Sequence, residues 1–307
     1  MTAARARRGL FLAMLLIVPS LVAWPAHAYV RAVTSTGVPL WWRSPFVTMD
    51  IYLGAPPPSM TADQYWNASL LAAQAWSHGS IACTSLTISM NRNAAAMGDV
   101  GFDRKNVVVF RQDSWCQRQT PTDPLPAPCY PANALAVTTL FKSTTTGEIV
   151  DADMEINAAY FSWTDLVADP TQASGTTADF QNTLTHELGH VIGLAHNCYI
   201  ANDGPAPLMD NTGNPEIACG ASDAPATMKD ATMYPVVAVS DTDRRTLSPD
   251  DMQAVCDIYP GQTAILGGSG CSVAGPSSAK RGWAIGLACF LALAFAVMLH
   301  RRARSPE

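Results

Sequence analysis

Hydrophobic and polar positions alternate with period two over residues 46–53 ("FVTMDIYL"), which predicts a strand, and Pro56-Pro57-Pro58 ends it. The period then changes. Residues 62–78 ("ADQYWNASLLAAQAWSH") carry Ala, Leu and Trp on a helical repeat, and Thr61 with Gln64 is a capping-box start. Residues 83–90 and 106–110 read as strands, and the second ("NVVVF") is apolar enough to be buried on both faces in the middle of a sheet. A Pro-rich loop at 119–131 leads to two more strands, 135–141 and 148–156, joined by "KSTTTG". A second helix opens near Thr176 or Thr177. A third begins at Ser248-Pro249-Asp250-Asp251, with serine as N-cap, proline at the first helical position and an acidic residue at the third. No repeat interrupts this order, so residues 29–262 form one domain.

The ends of the 307-residue chain have a different character. Residues 1–28 combine Arg5, Arg7 and Arg8, an apolar run at 10–24 and Ala26-His27-Ala28, the pattern of a cleaved signal peptide. Residues 263–282 form a Gly/Ser/Pro-rich linker that contains Cys271. The uncharged run that follows makes 283–300 a transmembrane segment, and 301–307 a basic cytoplasmic end.

Between these ends, residues 29–270 hold 11 Lys and Arg against 24 Asp and Glu, a formal charge of −13. That balance argues against nucleic-acid binding, which requires clustered basic residues, and fits a soluble, exported domain that binds calcium or favours cationic substrates; the domain is expected to be a monomer. Cys83, Cys116, Cys129, Cys198, Cys219 and Cys256 are an even set, as expected of oxidised pairs in an exported domain. Six cysteines permit 15 pairings. Proximity favours Cys116 with Cys129 and Cys198 with Cys219, which leaves Cys83 for Cys256. No C-x-x-C spacing suggests a thiolate metal site.

Chemistry concentrates at residues 185–196, "THELGHVIGLAH". Phe180, Leu184, Leu188 and Val191 or Ile192 give this helix one buried face. His186 and His190 lie about 40° apart around the axis and one turn apart along it, so both imidazoles reach one ion. Glu187 borders the same site, about 60° from His190, placed beside the metal instead of on it. Gly193 permits the left-handed turn that ends the helix and returns His196 as third ligand. Three neutral histidines leave a tetrahedral Zn2+ one open position for water, and Glu187 stands as its general base.

The motif His-Glu-x-Gly-His-x-x-Gly-x-x-His at 186–196 resembles that of the metzincin zinc endopeptidases, in their matrixin-like branch. "ATMYP" at 231–235 is similar to the Met-turn of that family, with Met233 preferred over Met228 for its methionine, and Pro235 stands where some members carry a tyrosine ligand. The resemblance implies an α+β fold: a twisted five-stranded, mostly parallel sheet with an antiparallel edge strand and three helices. It also implies an extended protein or peptide substrate laid along residues 134–141. With His27 and His300 in the terminal segments and three histidines as ligands, only His78 remains, so the second, histidine-rich zinc site of animal matrixins cannot form. Asp151, Asp153 and Glu155, alternating along a strand, fit either a Ca2+ site or an exposed acidic face.

Two other functions compete with this one: a gluzincin-type peptidase with Glu216 as third ligand, and an inactive surface-binding module on the same scaffold. The tail is similar to the cysteine-containing MYXO-CTERM type of bacterial sorting segment, with Cys271 as the matching residue. On that reading the membrane holds the precursor before sorting to the cell envelope, the cell surface or the medium; a plain anchor is the alternative.

Overall fold

The computed structural model describes residues 29–261 apart from 93, 97, 118–127, 201–206 and 237. Chain contacts divide the protein into Met1–Leu266 and Gly267–Glu307, and every described residue belongs to the first unit. The segments expected to be a signal peptide, linker, membrane segment and basic end, with Cys271, lie outside the described residues. No helix among the described residues is long and apolar enough to cross a membrane.

The fold is α+β. Strands β1 (Trp41–Trp42) and β2 (Phe46–Asp50) precede helix α1 (Ala62–Ala75), followed by β3 (Thr87–Asn91), β4 (Asn106–Arg111), β5 (Ala136–Lys142) and β6 (Glu148–Asn157). β7 (Ser162–Thr164) and β8 (Thr177–Asp179) pair with each other just ahead of α2 (Phe180–Val191). The single-turn α3 (Ala226–Lys229) and then α4 (Pro249–Ile258) complete the order.

In the main sheet the strands run β1-β6-β4-β2-β3, with β5 added to the other side of β6. Every pairing is parallel except β5 with β6. Parallel neighbours need a crossover, and α1 supplies it between β2 and β3. Its capping box is formed as expected by Thr61 and Gln64. Central β4 is buried along its length after Asn106, which explains its unbroken valines.

Two expectations are corrected in number. The sheet has six strands instead of five, because the two residues of β1 join β6 in a ladder too short to leave a periodic trace. Among the described residues there are four α-helices instead of three, the extra one being the four-residue α3. The second helix also starts later than Thr176 or Thr177. Residues 177–179 pair with β7, and the Asp179 side chain accepts from the Asn182 amide to cap α2. The strand expected at 83–90 begins at Thr87. Cys83 is held in a disulfide, and Thr84 bridges to Pro260.

The core lies between the sheet and the two long helices. Tyr65 of α1, Phe110 of β4 and Phe180 at the start of α2 stack edge-on or tilted, with centroids 5.2–5.7 Å apart. Trp163 of β7 closes this cluster 6.3 Å from Phe180. At the end of α1, the Trp76 indole donates to the Thr185 carbonyl at 2.8 Å, which locks the two helices in register. Disulfides join Cys83 to Cys256, Cys116 to Cys129 and Cys198 to Cys219, the pairing that proximity favoured. Three such bonds are typical of exported proteins.

The acidic row on β6 is not an exposed face: Asp151, Asp153 and Glu155 are all buried. The loop before β4 covers them. Asp151 accepts the Asp103 and Arg104 amides, and Asp153 those of Gly101 and Val107. Glu155 accepts from the Arg111 guanidinium at 2.5 Å and from the Tyr130 hydroxyl at 2.6 Å. These groups form no metal-binding cluster among the described residues.

Burial, opposed by the Gly101 amide and reinforced by Asp151, pushes the Asp153 carboxyl up to about 7. The unfolded chain therefore loses this proton first. Stability declines as pH rises between the ordinary carboxylate range and about 7, and the loss is complete above that. Thermal unfolding from about pH 4 to about pH 8 is expected to show a falling midpoint whose slope Asp153→Asn reduces. An unchanged slope in the variant would show that this carboxyl does not hold its proton in the fold.

Candidate metal centre

Helix α2 is pinned at its first turn. Buried Asp179 caps Asn182, accepts the Leu166 amide at 2.8 Å and pairs with Arg245, which also reaches Asp165. Phe180, Leu184, Leu188 and Val191 are fully buried, as their spacing requires. With that face fixed, His186 and His190 project together from the other side. Their ring centroids are 4.9 Å apart.

After Val191 the helix ends in a Schellman motif. The Gly193 amide bonds to the His190 carbonyl at 2.9 Å and the Leu194 amide to the Gly189 carbonyl at 3.0 Å. Gly193 has φ +95°, and a Cβ there would stand 2.7 Å from the Leu40 carbonyl oxygen, so both conformation and space exclude a side chain. The chain then turns back along the N-terminal segment, with the Ala195 amide on the Val30 carbonyl and the Ala32 amide on the Gly193 carbonyl, each 3.0 Å. This return brings His196 within 4.8 Å of His190 and 5.3 Å of His186, centroid to centroid.

The three partly buried histidines form a group whose candidate ligand atoms all lie within 4.8 Å of one another, and they can hold a metal ion. Their orientation is set from behind. His186 Nδ1 lies 2.6 Å from the Thr232 carbonyl, and His190 Nδ1 lies 2.9 Å from the Leu194 carbonyl. A carbonyl only accepts, so each Nδ1 carries the proton and each Nε2 presents a lone pair. His190 Nε2 and His196 Nε2 converge to 3.2 Å. Burial, with His190 and His196 alongside, drives His186 well below the usual imidazole range. It is therefore neutral, the form that binds metals.

The turn that supplies the Thr232 carbonyl is itself held by α4. Asp251, the acidic residue of that helix's capping box, accepts the Thr232 amide at 2.8 Å and the Met233 amide at 3.3 Å as well as the Ser248 amide at 3.0 Å. Met233 packs so closely on α2 that a Cβ on Gly189 would fall 2.2 Å from its sulfur. Met228 instead flanks a separate cluster of Cys198, Cys219 and Tyr234. The Tyr234 hydroxyl donates to the Cys219 carbonyl at 3.2 Å.

Glu187 is buried beside the histidines, and its Oε2 accepts from Thr138 Oγ1 of β5 at 2.6 Å. Burial pushes its carboxyl up to about 7, against the Thr138 hydrogen bond and His196. Two cavities of about 530 and 610 Å³ meet at Glu187 and His196. The first is lined by His186, Leu135, Tyr234 and Arg244, the second by His190, Thr34, Leu140 and Tyr199. Glu216 lines the second cavity but is not one of the grouped ligands. Its carboxylate accepts the Leu208 amide at 2.9 Å. His78, on the surface, has Nδ1 2.7 Å from the Thr84 carbonyl.

Sequence reasoning brought out the three histidines and Glu187. It missed Thr138 and the second duty of Asp251, for which the only signals were one of two adjacent threonines in the otherwise apolar run 135–141 and an acidic helix cap. A scan against protein-family models and a search of curated proteins each returned no match.

Asp251→Ala removes the acceptor of three amides, two of them belonging to the turn behind His186. Leaving buried donors unsatisfied costs roughly 1–3 kcal/mol each, so urea unfolding is expected to show a loss of about 3 kcal/mol or more. Surface replacement of Asp63, exposed in the first turn of α1, serves as the control and is expected to change stability by no more than about 0.5 kcal/mol.

Proposed function

We propose that the protein is an exported zinc-dependent endopeptidase of the metzincin type. One observation carries the reading: three histidines converge, two of them with Nδ1 held by carbonyls so that Nε2 is left to ligate, beside a buried carboxylate and next to a strand edge unpaired among the described residues. Ligand nitrogens about 2.0–2.1 Å from a tetrahedral zinc sit roughly 3.3 Å from one another. His190 Nε2 and His196 Nε2, 3.2 Å apart, match that separation. Bound there, zinc supplies a Lewis acid and lowers the pKa of a water to about 7.

The chain's own groups do the rest. Glu187 takes the proton of the attacking water and delivers it to the departing amine. Among the described residues β5 pairs only with β6, so its other edge can add backbone hydrogen bonds to an extended peptide, with the side chains falling into the two cavities. The Thr232 and Leu194 carbonyls keep His186 and His190 in the ligating tautomer. Export is supported by the three disulfides.

Glu187→Ala is expected to keep one zinc per chain and to cut peptide hydrolysis by roughly 10²- to 10⁴-fold. Full activity in that variant would remove Glu187 from the mechanism. His196→Ala is expected to lose metal and activity together, read by elemental analysis alongside the peptide assay. Zinc retained at full occupancy would mean that another group completes the site.

A further inference from the structure

Ala136, Thr138 and Leu140 lie on one face of β5, and the two apolar residues of this row pack against the core. Thr138 is the polar exception. Its hydroxyl donates to Glu187 Oε2 at 2.6 Å and lies 3.4 Å from the Glu187 carbonyl oxygen. We infer that Thr138 is a positioning residue for the general base: it fixes one carboxylate oxygen of Glu187 so that the other is presented to the water, and it ties the base to the strand that aligns the substrate. The inference rests on the peptidase reading.

The geometry gives the hydroxyl a task that packing alone does not require. Glu187 is buried on α2, and α2 and β5 are separate elements in direct contact. Without a tether, rotation about its side-chain bonds would move the carboxylate relative to the histidines. Fixing Oε2 removes that freedom and leaves Oε1 as the proton acceptor. Because Thr138 belongs to the strand edge, a peptide laid along β5 is registered against the same residue that holds the base. A valine at 138 would keep the β-branched shape and the strand preference while deleting only the hydrogen bond.

The test compares T138V and T138S with the parent protein on one peptide that the parent cleaves, with zinc content measured for each. T138V is expected to lower kcat by roughly 10- to 100-fold with KM nearly unchanged and zinc still at one per chain, since misplacing a reacting group by about 1 Å costs on that order. T138S, which restores the hydroxyl, is expected to recover most of kcat. Equal kcat in T138V and the parent, an equal loss in both variants, or a loss confined to KM would each overturn the inference while leaving the peptidase reading intact. A parent protein that binds zinc and cleaves no peptide would overturn both. A second readout needs no catalysis: in the metal-free protein, T138V and E187A are expected to shift the urea midpoint non-additively. Additive shifts would show that the two side chains are not coupled.

Discussion

The amides of Thr232 and Met233 point at one buried carboxylate, Asp251, which is already engaged with Ser248 in the capping box of α4. That shared acceptor joins two structures that the chain order keeps apart. From it the constraint runs outward in two directions. The Thr232 carbonyl sets the tautomer and tilt of His186, and Met233 rests on Gly189, one residue before His190. The histidines therefore inherit their geometry from a helix cap, not from α2 alone. A buried carboxylate that accepts several amides is well satisfied, whereas the same amides without it would be costly to bury.

What could be read beforehand follows the range of the forces involved. His186 and His190 were legible because helix geometry is local, and His196 because Gly193 marks where the helix must stop. The capping boxes at Thr61 and Ser248 were legible for the same reason. The start of α2 was misread because residues 177–179 are drawn into a ladder with Ser162–Thr164, a partnership no local pattern announces. β1 escaped notice because two residues are too few to show a period. The bond between Thr138 and Glu187 spans 49 residues, and that between Thr232 and Asp251 spans 19, so neither leaves a spacing signature.

The acidic row of β6 shows the same limit from the other side. Alternating carboxylates suggest water or a cation because, read locally, nothing else satisfies them. In the fold they organise a neighbouring loop: backbone amides from Gly101 to Val107 and the guanidinium of Arg111 take the place of solvent. From Asp151 onward β6 is thus as buried on its polar side as on its apolar one. The loop over it is held by directional bonds to side chains where a hydrophobic contact would have allowed sliding.

The three disulfides are nested. The pairs 116–129 and 198–219 lie side by side within the ring closed by Cys83 and Cys256. Any single backbone cut between those outer cysteines leaves both pieces covalently joined. For a chain that meets a protease, a nick in a surface loop then opens the backbone without releasing a fragment, and the broken ends remain tethered through the ring. Such a molecule would migrate as one species until its disulfides are reduced, so a sample that looks intact without reductant can already be a population of cut chains.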